Sequence, residues 1–339
     1  MNSPPCMGSR ATKARPGVVP ALNVASEPAV AEMAASYALQ PYRYNSAKHS
    51  WEKLDLAGEG HKVNKTSLRL ATYNVFFGQN TMRGRFRHIL SMLPELDADV
   101  ICVQEANMEW IEEMTDNEYV QQHYFASDVN GRTFNGYGVV ILSRIPMADL
   151  TMWKLPTSMG RRALIATYTI NEETVSIGTV HLESLDSAQL RAEQLEKISG
   201  ILASSPHAGL MGDFNFDSDR NFRKGVMPLE NDNIAAHYPD YVDVWPTLRP
   251  ADPKGPEEKG YTFDSEVNRM IRQFEQMRYD RVLWKSAGGQ WRPKRIELFG
   301  TAPMKGHIGV WPSDHFGLVT DLEFVAQAEP EPEPELADE

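Results

Sequence analysis

Residues 68–74 alternate, with Leu68, Leu70 and Thr72 on one side and Arg69, Ala71 and Tyr73 on the other, and this period of two predicts a strand. The period then changes: Phe86, Ile89, Leu90 and Leu93 recur at helical spacing and form one apolar face. Residues 99–104 are a nearly continuous apolar run, the pattern of a strand buried on both sides. Further strands are predicted at 137–142, 164–169, 175–181, 210–212, 241–245, 279–284 and 315–324. Ser187 is placed to cap a helix running to about Leu202, with Leu195, Ile198 and Leu202 inward. Met270, Ile271, Phe274 and Met277 also recur at helical spacing and are read as packing residues. Strands dominate, with helices interspersed.

Neither a repeat nor a linker interrupts residues 41–326, which are expected to form a single domain. Residues 1–40 are rich in Pro, Ala, Ser and Val without period and read as a disordered arm. Arg10, Lys13 and Arg15 give that arm the look of an organelle transit peptide, but it has no amphipathic helix. Tyr42, Tyr44 and Trp51 mark the start of ordered packing, an N-terminal extension against the main body. The alternating Glu-Pro run of residues 327–339 reads as a self-repelling, structureless tail, expected to aid solubility by default, with contact to a basic partner as the alternative.

At 42% apolar residues a sizeable core can form, yet no run approaches the ~18 apolar residues of a membrane-spanning helix. Cys6 and Cys102 are too few for a disulfide framework or a structural zinc site, so a reducing compartment is expected. Charge is distributed unevenly. With the tail's six acids and the first fifty residues' surplus of three bases set aside, residues 51–326 carry −9 of the total −12. A body this acidic is ill suited to gripping long duplex by counterion release. If it handles nucleic acid, it takes a short end, with a metal supplying positive charge.

Polar clusters sit at the ends of the predicted strands: Thr72-Tyr73-Asn74, Gln104-Glu105, His181-Leu182-Glu183-Ser184, Gly212-Asp213-Phe214-Asn215 and Ser313-Asp314-His315, with Asp280 inside Tyr279-Asp280-Arg281. Each alone has a plainer reading, Asn74 as a turn residue, Glu105 as a solvated strand end, His181 or His315 as a structural histidine. Together they carry too many polar groups for structural need, because each buried one requires its own partner. They suit metal-assisted phosphate hydrolysis. Glu105 aided by Asn74 and water is the oxygen-rich set that Mg²⁺ prefers, with Mn²⁺ as the alternative. Histidine and asparagine can donate to phosphate oxygens as charge grows on them. Because strand neighbours point to opposite faces, Asp314 is expected to orient His181 rather than His315.

The order Asn…Gln-Glu…His…Gly-Asp-x-Asn…Tyr-Asp-Arg…Ser-Asp-His resembles the endonuclease/exonuclease/phosphatase superfamily over about residues 68–324. The resemblance implies an α+β fold, a four-layer αββα sandwich of two mixed β-sheets flanked by helices. Within it, Thr179–Ser184 by position, Val242-Asp243-Val244-Trp245, Gly260-Tyr261-Thr262-Phe263-Asp264, Met277-Arg278-Tyr279-Asp280-Arg281-Val282 and Trp311-Pro312-Ser313-Asp314-His315 look like the 5′-tyrosyl-DNA phosphodiesterase branch. That branch implies removal of a tyrosine left on a DNA 5′ end by a topoisomerase II-type adduct. Asn74, Glu105, Asp213, Asn215 and His315 match its catalytic set, with Glu105 as metal carboxylate and Asp213 as acid or base. His181, Asp280 and Asp314 complete the catalytic group, and Ser184, Phe263 and Arg278 are substrate-binding residues.

Three positions depart from the branch pattern. Phe76 stands where an acid often helps the metal, Asp217 where an Arg touches substrate phosphate, and Phe263 where the branch has Trp. Loss of that Arg removes a charge-assisted contact, for which Arg278, Arg220 or Arg223 could compensate. Phe263 is expected either to stack a base or to sit in the core. A tyrosyl leaving group, with a phenol pKa near ~10, departs with little acid assistance. The expected partner is a DNA 5′ end carrying a tyrosyl adduct, the protein a monomer off the membrane, in nucleus or cytoplasm. Competing readings keep the fold with an inositol phosphate, abasic-site or RNA 3′-end substrate, or make the chain a non-catalytic DNA-end-binding module.

Overall fold

The computed structural model describes residues 35–56, 61–250 and 258–326. The first strands are short: β1 (Ser36–Ala38), β2 (Tyr42–Asn45), β3 (Ser50–Lys53) and β4 (Lys62–Val63). β5 (Ser67–Asn74) leads to α1 (Met82–Leu96), β6 (Val100–Asn107), α2 (Met108–Thr115), α3 (Glu118–His123), β7 (Phe125–Ala126), β8 (Tyr137–Ser143) and β9 (Asp149–Lys154). The chain continues through β10 (Arg162–Ile170), β11 (Glu173–His181), α4 (Ala188–Leu202), β12 (His207–Asp213), α5 (Asp232–His237), β13 (Val242–Asp243) and α6 (Val244–Leu248). It closes with β14 (Phe263–Asp264), β15 (Gln276–Met277), β16 (Asp280–Ser286), β17 (Trp291–Phe299) and β18 (Gly317–Phe324).

Two sheets result. The first orders its strands β1-β9-β10-β11-β12-β16-β13 with β4 beside β10, and the second orders them β17-β18-β5-β6-β8-β7-β2-β3. The predicted alternation of β5 decides the layering. Leu68 and Leu70 point between the sheets, where they meet Cys102, Ile141, Tyr168, Ile177, Met211 and Trp284. Ala71 and Tyr73 point the other way, onto Phe86, Ile89 and Leu93 of α1 and Trp110 of α2. On the far side, Leu195, Ile198 and Leu202 of α4 cover Ile165, Val180 and Leu210. Each such buried Leu, Ile or Phe contributes roughly 1.5–3 kcal/mol. The layers are helix, sheet, sheet, helix, the sandwich anticipated above.

Each sheet is built round a parallel pair, β5 with β6 and β11 with β12. Antiparallel neighbours flank both: β18 and β8 in one sheet, β10 and β16 in the other. The carboxyl ends of all four central strands open onto one rim. Gln104 fastens the sheets there, donating to Thr72 at 3.0 Å in its own sheet and to Thr179 at 2.9 Å in the other. All three side chains are buried, so this polar link is fully protected from water.

Several expectations are corrected. Residues 35–40 belong to the body rather than to the arm: β1 pairs with β9, and the Tyr37 hydroxyl accepts from Arg162 at 2.8 Å. The rest of the arm, residues 1–34, and the tail, residues 327–339, lie outside the described residues. The Tyr42–Trp51 region extends the second sheet as a hairpin, and the Trp51 indole donates to the Thr115 carbonyl at 3.2 Å. The strand expected at 241–245 stops at Asp243, because Pro246 has no N–H for a ladder but fits the first turn of α6. Ser187 precedes α4 without a side-chain capping bond. Residues 270–277 are not helical. Asn268 turns the chain there, accepting from Met270 N–H and donating to the Ser313 carbonyl, and Phe274 is left 76% exposed.

The Pro- and charge-rich segment 291–299 hid a strand, β17, which pairs with β18 through a bulge between Pro293 and Arg295. Gly212 illustrates how tightly the rim is built. It has φ +137°, and a Cβ placed on it would lie 2.0 Å from the Val180 carbonyl oxygen. Gly212→Ala is expected to cost at least about 2 kcal/mol of stability, through backbone strain and displacement of β11. Chemical denaturation would measure it, and an unchanged unfolding midpoint would contradict this account of the rim.

Candidate active site

Asn74 ends β5 and Glu105 lies near the end of β6, in a left-handed conformation of φ 59° that a Glu holds only under constraint from its surroundings. In the other sheet, ladder register puts His181 opposite Asp213 and Asp213 opposite Asp280. His315 arrives from the loop before β18. The structure therefore brings Asn74, Glu105, His181, Asp213, Asn215, Asp280, Asp314 and His315 to the one rim.

Asn74 is the link across it. Its amide nitrogen donates to Glu105 Oε1 at 3.1 Å and to Asp213 Oδ2 at 2.9 Å, while its oxygen accepts from Phe76 N–H. Two carboxylates on one side and an N–H on the other leave only this amide orientation. The group Asn74 presents to Glu105 is thus a donor that holds that carboxylate, while its oxygen, the atom a cation would take, faces the Phe76 N–H. The second Glu105 oxygen accepts from Phe77 N–H at 3.1 Å. Burial and then the Asp314 charge push the Glu105 carboxyl up to about 7. Asp314 is raised too, chiefly by burial, and the Ser313 hydroxyl lies 3.4 Å from its Oδ1.

Asp280, not Asp314, orients a histidine, and the histidine is His315. Its Nδ1 bonds Asp280 Oδ2 at 2.7 Å, and its Nε2 lies 3.8 Å from Asp213 Oδ2. Burial opposes the imidazolium, but the charges of Asp280, Asp213 and Asp314 outweigh it and raise the pKa well above the usual range. The expected pairing of Asp314 with His181 is not the one formed: His181 Nδ1 accepts from Arg161, and His315 takes its carboxylate from Asp280 across the sheet.

His181 behaves oppositely. Arg161 donates to its Nδ1 at 3.0 Å, which places the remaining proton on Nε2, 3.4 Å from Asp213 Oδ2. Burial and the cationic Arg161 and His315 push it down to about 3, despite Asp213. His181 is a neutral donor. Asp213 is held below the ordinary carboxyl range: the charge of His315, with hydrogen bonds from Asn74 and the Asn215 N–H, outweighs burial, and the neutral His181 turns its Nε2–H toward it. Asn215 donates one amide N–H to the Leu182 carbonyl at 3.0 Å. The other has no partner among the described residues.

Arg161 escaped the sequence reading, although its position immediately before an apolar strand was the available signal. It also donates to the Ser184 hydroxyl at 2.6 Å, so Ser184 supports Arg161. Phe263 packs edge-on against the His315 ring at 5.1 Å and stays partly exposed, on the border of the site. Arg278 does not compensate for Asp217. Its guanidinium is forked onto Asp243 at 2.8 and 2.7 Å, with Ser218 on Nε, and it is 4% exposed. Arg223 is paired with Asp186, and Arg220 lies over Met277 on the exposed side.

A divalent cation fits beside Glu105. Two half-buried carboxylates, Glu105 and Asp314, both have a raised pKa, Glu105 in part through the Asp314 charge, and among the described residues neither has a basic side chain in hydrogen-bond contact. Among the described residues no three ionisable ligands converge into a preformed cage. One or two carboxylates completed by water and substrate oxygens is a donor set typical of small hard cations. The two histidines should be separable by nuclear magnetic resonance. The His315 ring is expected to titrate well above about 6.5, and Asp280→Asn to lower it, while His181 stays neutral as its Nε2–H tautomer. A His315 that titrates normally in the native protein would contradict the assignment.

The sequence profile of the Endonuclease/Exonuclease/phosphatase family matches residues 71–315. Tyrosyl-DNA phosphodiesterase 2 of Xenopus laevis is 25% identical over 259 residues, 73% of this chain and 64% of that protein. The Homo sapiens protein of the same name is 25% identical over 286 residues, 80% of this chain and 73% of its own. The chain thus spans somewhat less than two thirds of the Xenopus relative. Among solved structures, D. rerio TDP2 complexed with single strand DNA product superposes with a TM-score of 0.64 at 22% identity, covering 76% of this chain and all of that one. That superposition matches the four-layer fold. The profile takes in every rim residue from Asn74 to His315, and the chain belongs to the Endonuclease/Exonuclease/phosphatase family.

Proposed function

We propose that the protein is a Mg²⁺-dependent phosphodiesterase that hydrolyses the 5′-phosphotyrosyl bond of topoisomerase II-type adducts on DNA ends. The observation that carries the reading is the convergence of Glu105, Asp213 and two histidines of opposite protonation on one rim, in a family member whose relatives include tyrosyl-DNA phosphodiesterase 2. Magnesium held at Glu105 would polarise a phosphate oxygen and neutralise charge there. Everything else falls to the chain.

The imidazolium of His315, fixed by Asp280, donates to a non-bridging phosphate oxygen. Neutral His181 donates to a second through Nε2–H, and Asn215 offers its free amide N–H. Asp213, ionised by this ring of donors, accepts a proton from the attacking water as the new P–O bond forms. The bond from phosphorus to the tyrosyl oxygen breaks, and its electron pair leaves on the phenolate. With a reference pKa near ~10 the phenolate needs little acid assistance, which suits a site whose central carboxylate is a proton acceptor. Products are a 5′-phosphorylated end and tyrosine. A short, single end is also the substrate that an acidic body can accept. The reading places the protein as a monomer in nucleus or cytoplasm.

A 5′-phosphotyrosyl oligonucleotide, assayed beside inositol polyphosphates, an abasic-site duplex and an RNA 3′ end, tests this directly. Tyrosine release is expected with Mg²⁺, none with EDTA, and a loss of at least about 100-fold in Glu105→Ala. Faster turnover of another phosphoester, or undiminished release by Glu105→Ala, would overturn it. A second expectation concerns pH. A proton competes with the metal for Glu105, so the Mg²⁺ concentration giving half-maximal rate should rise as pH falls below about 7. A constant Mg²⁺ requirement from pH 8 to about 5.5 would remove Glu105 as the metal carboxylate.

A further inference from the structure

Arg85 is fully buried, on the first turn of α1, and no carboxylate reaches it. Both facts are costly. A cation near a helix N-terminus opposes the macrodipole, and a buried guanidinium without a counterion is among the rarest side-chain states. Its five N–H donors are instead all taken by backbone carbonyls: Nε by Asn80 at 3.0 Å, Nη1 by Val75 and Pro312 at 3.1 Å each, and Nη2 by Phe76 at 2.7 Å and Gly78 at 2.6 Å. Phe76 covers the group, its ring centre 5.0 Å from the guanidinium carbon. This aromatic stands at the position where an acid is common in the branch.

The five carbonyls belong to two loops. Residues 75–80 follow Asn74 and carry the Phe77 N–H that holds Glu105. Pro312 precedes Ser313, whose hydroxyl donates to the Asn74 carbonyl at 2.6 Å and accepts from the His315 N–H at 3.1 Å. Asp314 lies between them. We propose that Arg85 is a positioning residue that clamps these two loops by their carbonyls, so that Glu105, Asp314 and His315 face one another across the cation site. A planar five-donor fork can make this clamp, whereas an ammonium with three donors cannot. The fixed charge also faces the two carboxylates from within the protein, where salt does not screen it.

This inference rests on the phosphoesterase reading only through the place of Glu105 and His315, and its test does not need the DNA substrate. Arg85→Lys keeps charge and loses the fork, and Arg85→Ala leaves a cavity. Each is compared with wild type by the rise in melting temperature that Mg²⁺ alone produces, and by hydrolysis of bis-p-nitrophenyl phosphate and of the phosphotyrosyl oligonucleotide. At a temperature where circular dichroism reports the native fold, kcat is expected to fall about 10–100-fold with KM little changed, and the Mg²⁺-induced stabilisation to shrink. Methylguanidinium, but not methylammonium, should restore part of both in Arg85→Ala. If Arg85→Lys melts lower yet retains the wild-type kcat and Mg²⁺ response, Arg85 only supports folding and the proposal fails. If the oligonucleotide is untouched by wild type while the Mg²⁺ shift still depends on Arg85, the substrate reading fails and the clamp stands.

Discussion

A single amide nitrogen, on Asn74, donates to carboxylates that belong to different sheets. Its two bonds fix the distance between Glu105, where a cation fits, and Asp213, where two histidines converge. The rest of the architecture serves that spacing. The parallel pairs β5–β6 and β11–β12 direct their ends to one rim, the Gln104 bridge stops the sheets from sliding at that rim, and Gly212 lets β12 lie closely against β11. A rotation of one sheet by a single residue would point Asp213 at the opposite layer, because side chains alternate across a strand.

The electrostatics follow from burial acting on groups of unlike partnership. His315 and His181 are both enclosed and both face Asp213, yet they are pushed in opposite directions. His315 gains Asp280 on its second nitrogen, and His181 gains Arg161. One neighbour therefore decides each protonation state, and the site acquires a charged and a neutral donor from the same residue type. A chain of net charge −12 can in this way present donors to a phosphate without a basic surface.

Periodicity made most of this fold legible. The strands around Leu70, Ile141, Ile177 and Val282 and the helix through Phe86 and Leu93 announce themselves, since one buried face imposes a pattern on residues two or nearly four apart. β17 did not, because only Trp291 and Ile296 are buried and Arg, Pro and Lys between them leave no period of two. Likewise Asn74, Glu105, Asp213 and His315 could be found as strand-end polar residues, whereas their pairing could not. The bond from Asp280 to His315 and the approach of Arg161 to His181 are made across strands distant in sequence, which the alternation argument that assigned Asp314 to His181 does not reach. Arg85 gave no signal in the sequence, because its carbonyl partners come from two loops far apart in the chain.

The bulge in β17 has a consequence for how this molecule lives among its own copies. A sheet of eight strands ends there in an outermost strand whose unpaired N–H and C=O groups would otherwise template the addition of a further chain. Pro293 has no N–H to offer, the register break before Arg295 twists the next groups out of line, the Ile296 carbonyl already accepts from Arg249 at 3.1 Å, and Lys294 and Arg295 are engaged by Glu323, Glu297 and Asp321. A second β17 brought alongside would meet a crooked, partly occupied border of ion-paired side chains, so that border resists the cross-β stacking to which long flat sheets are prone.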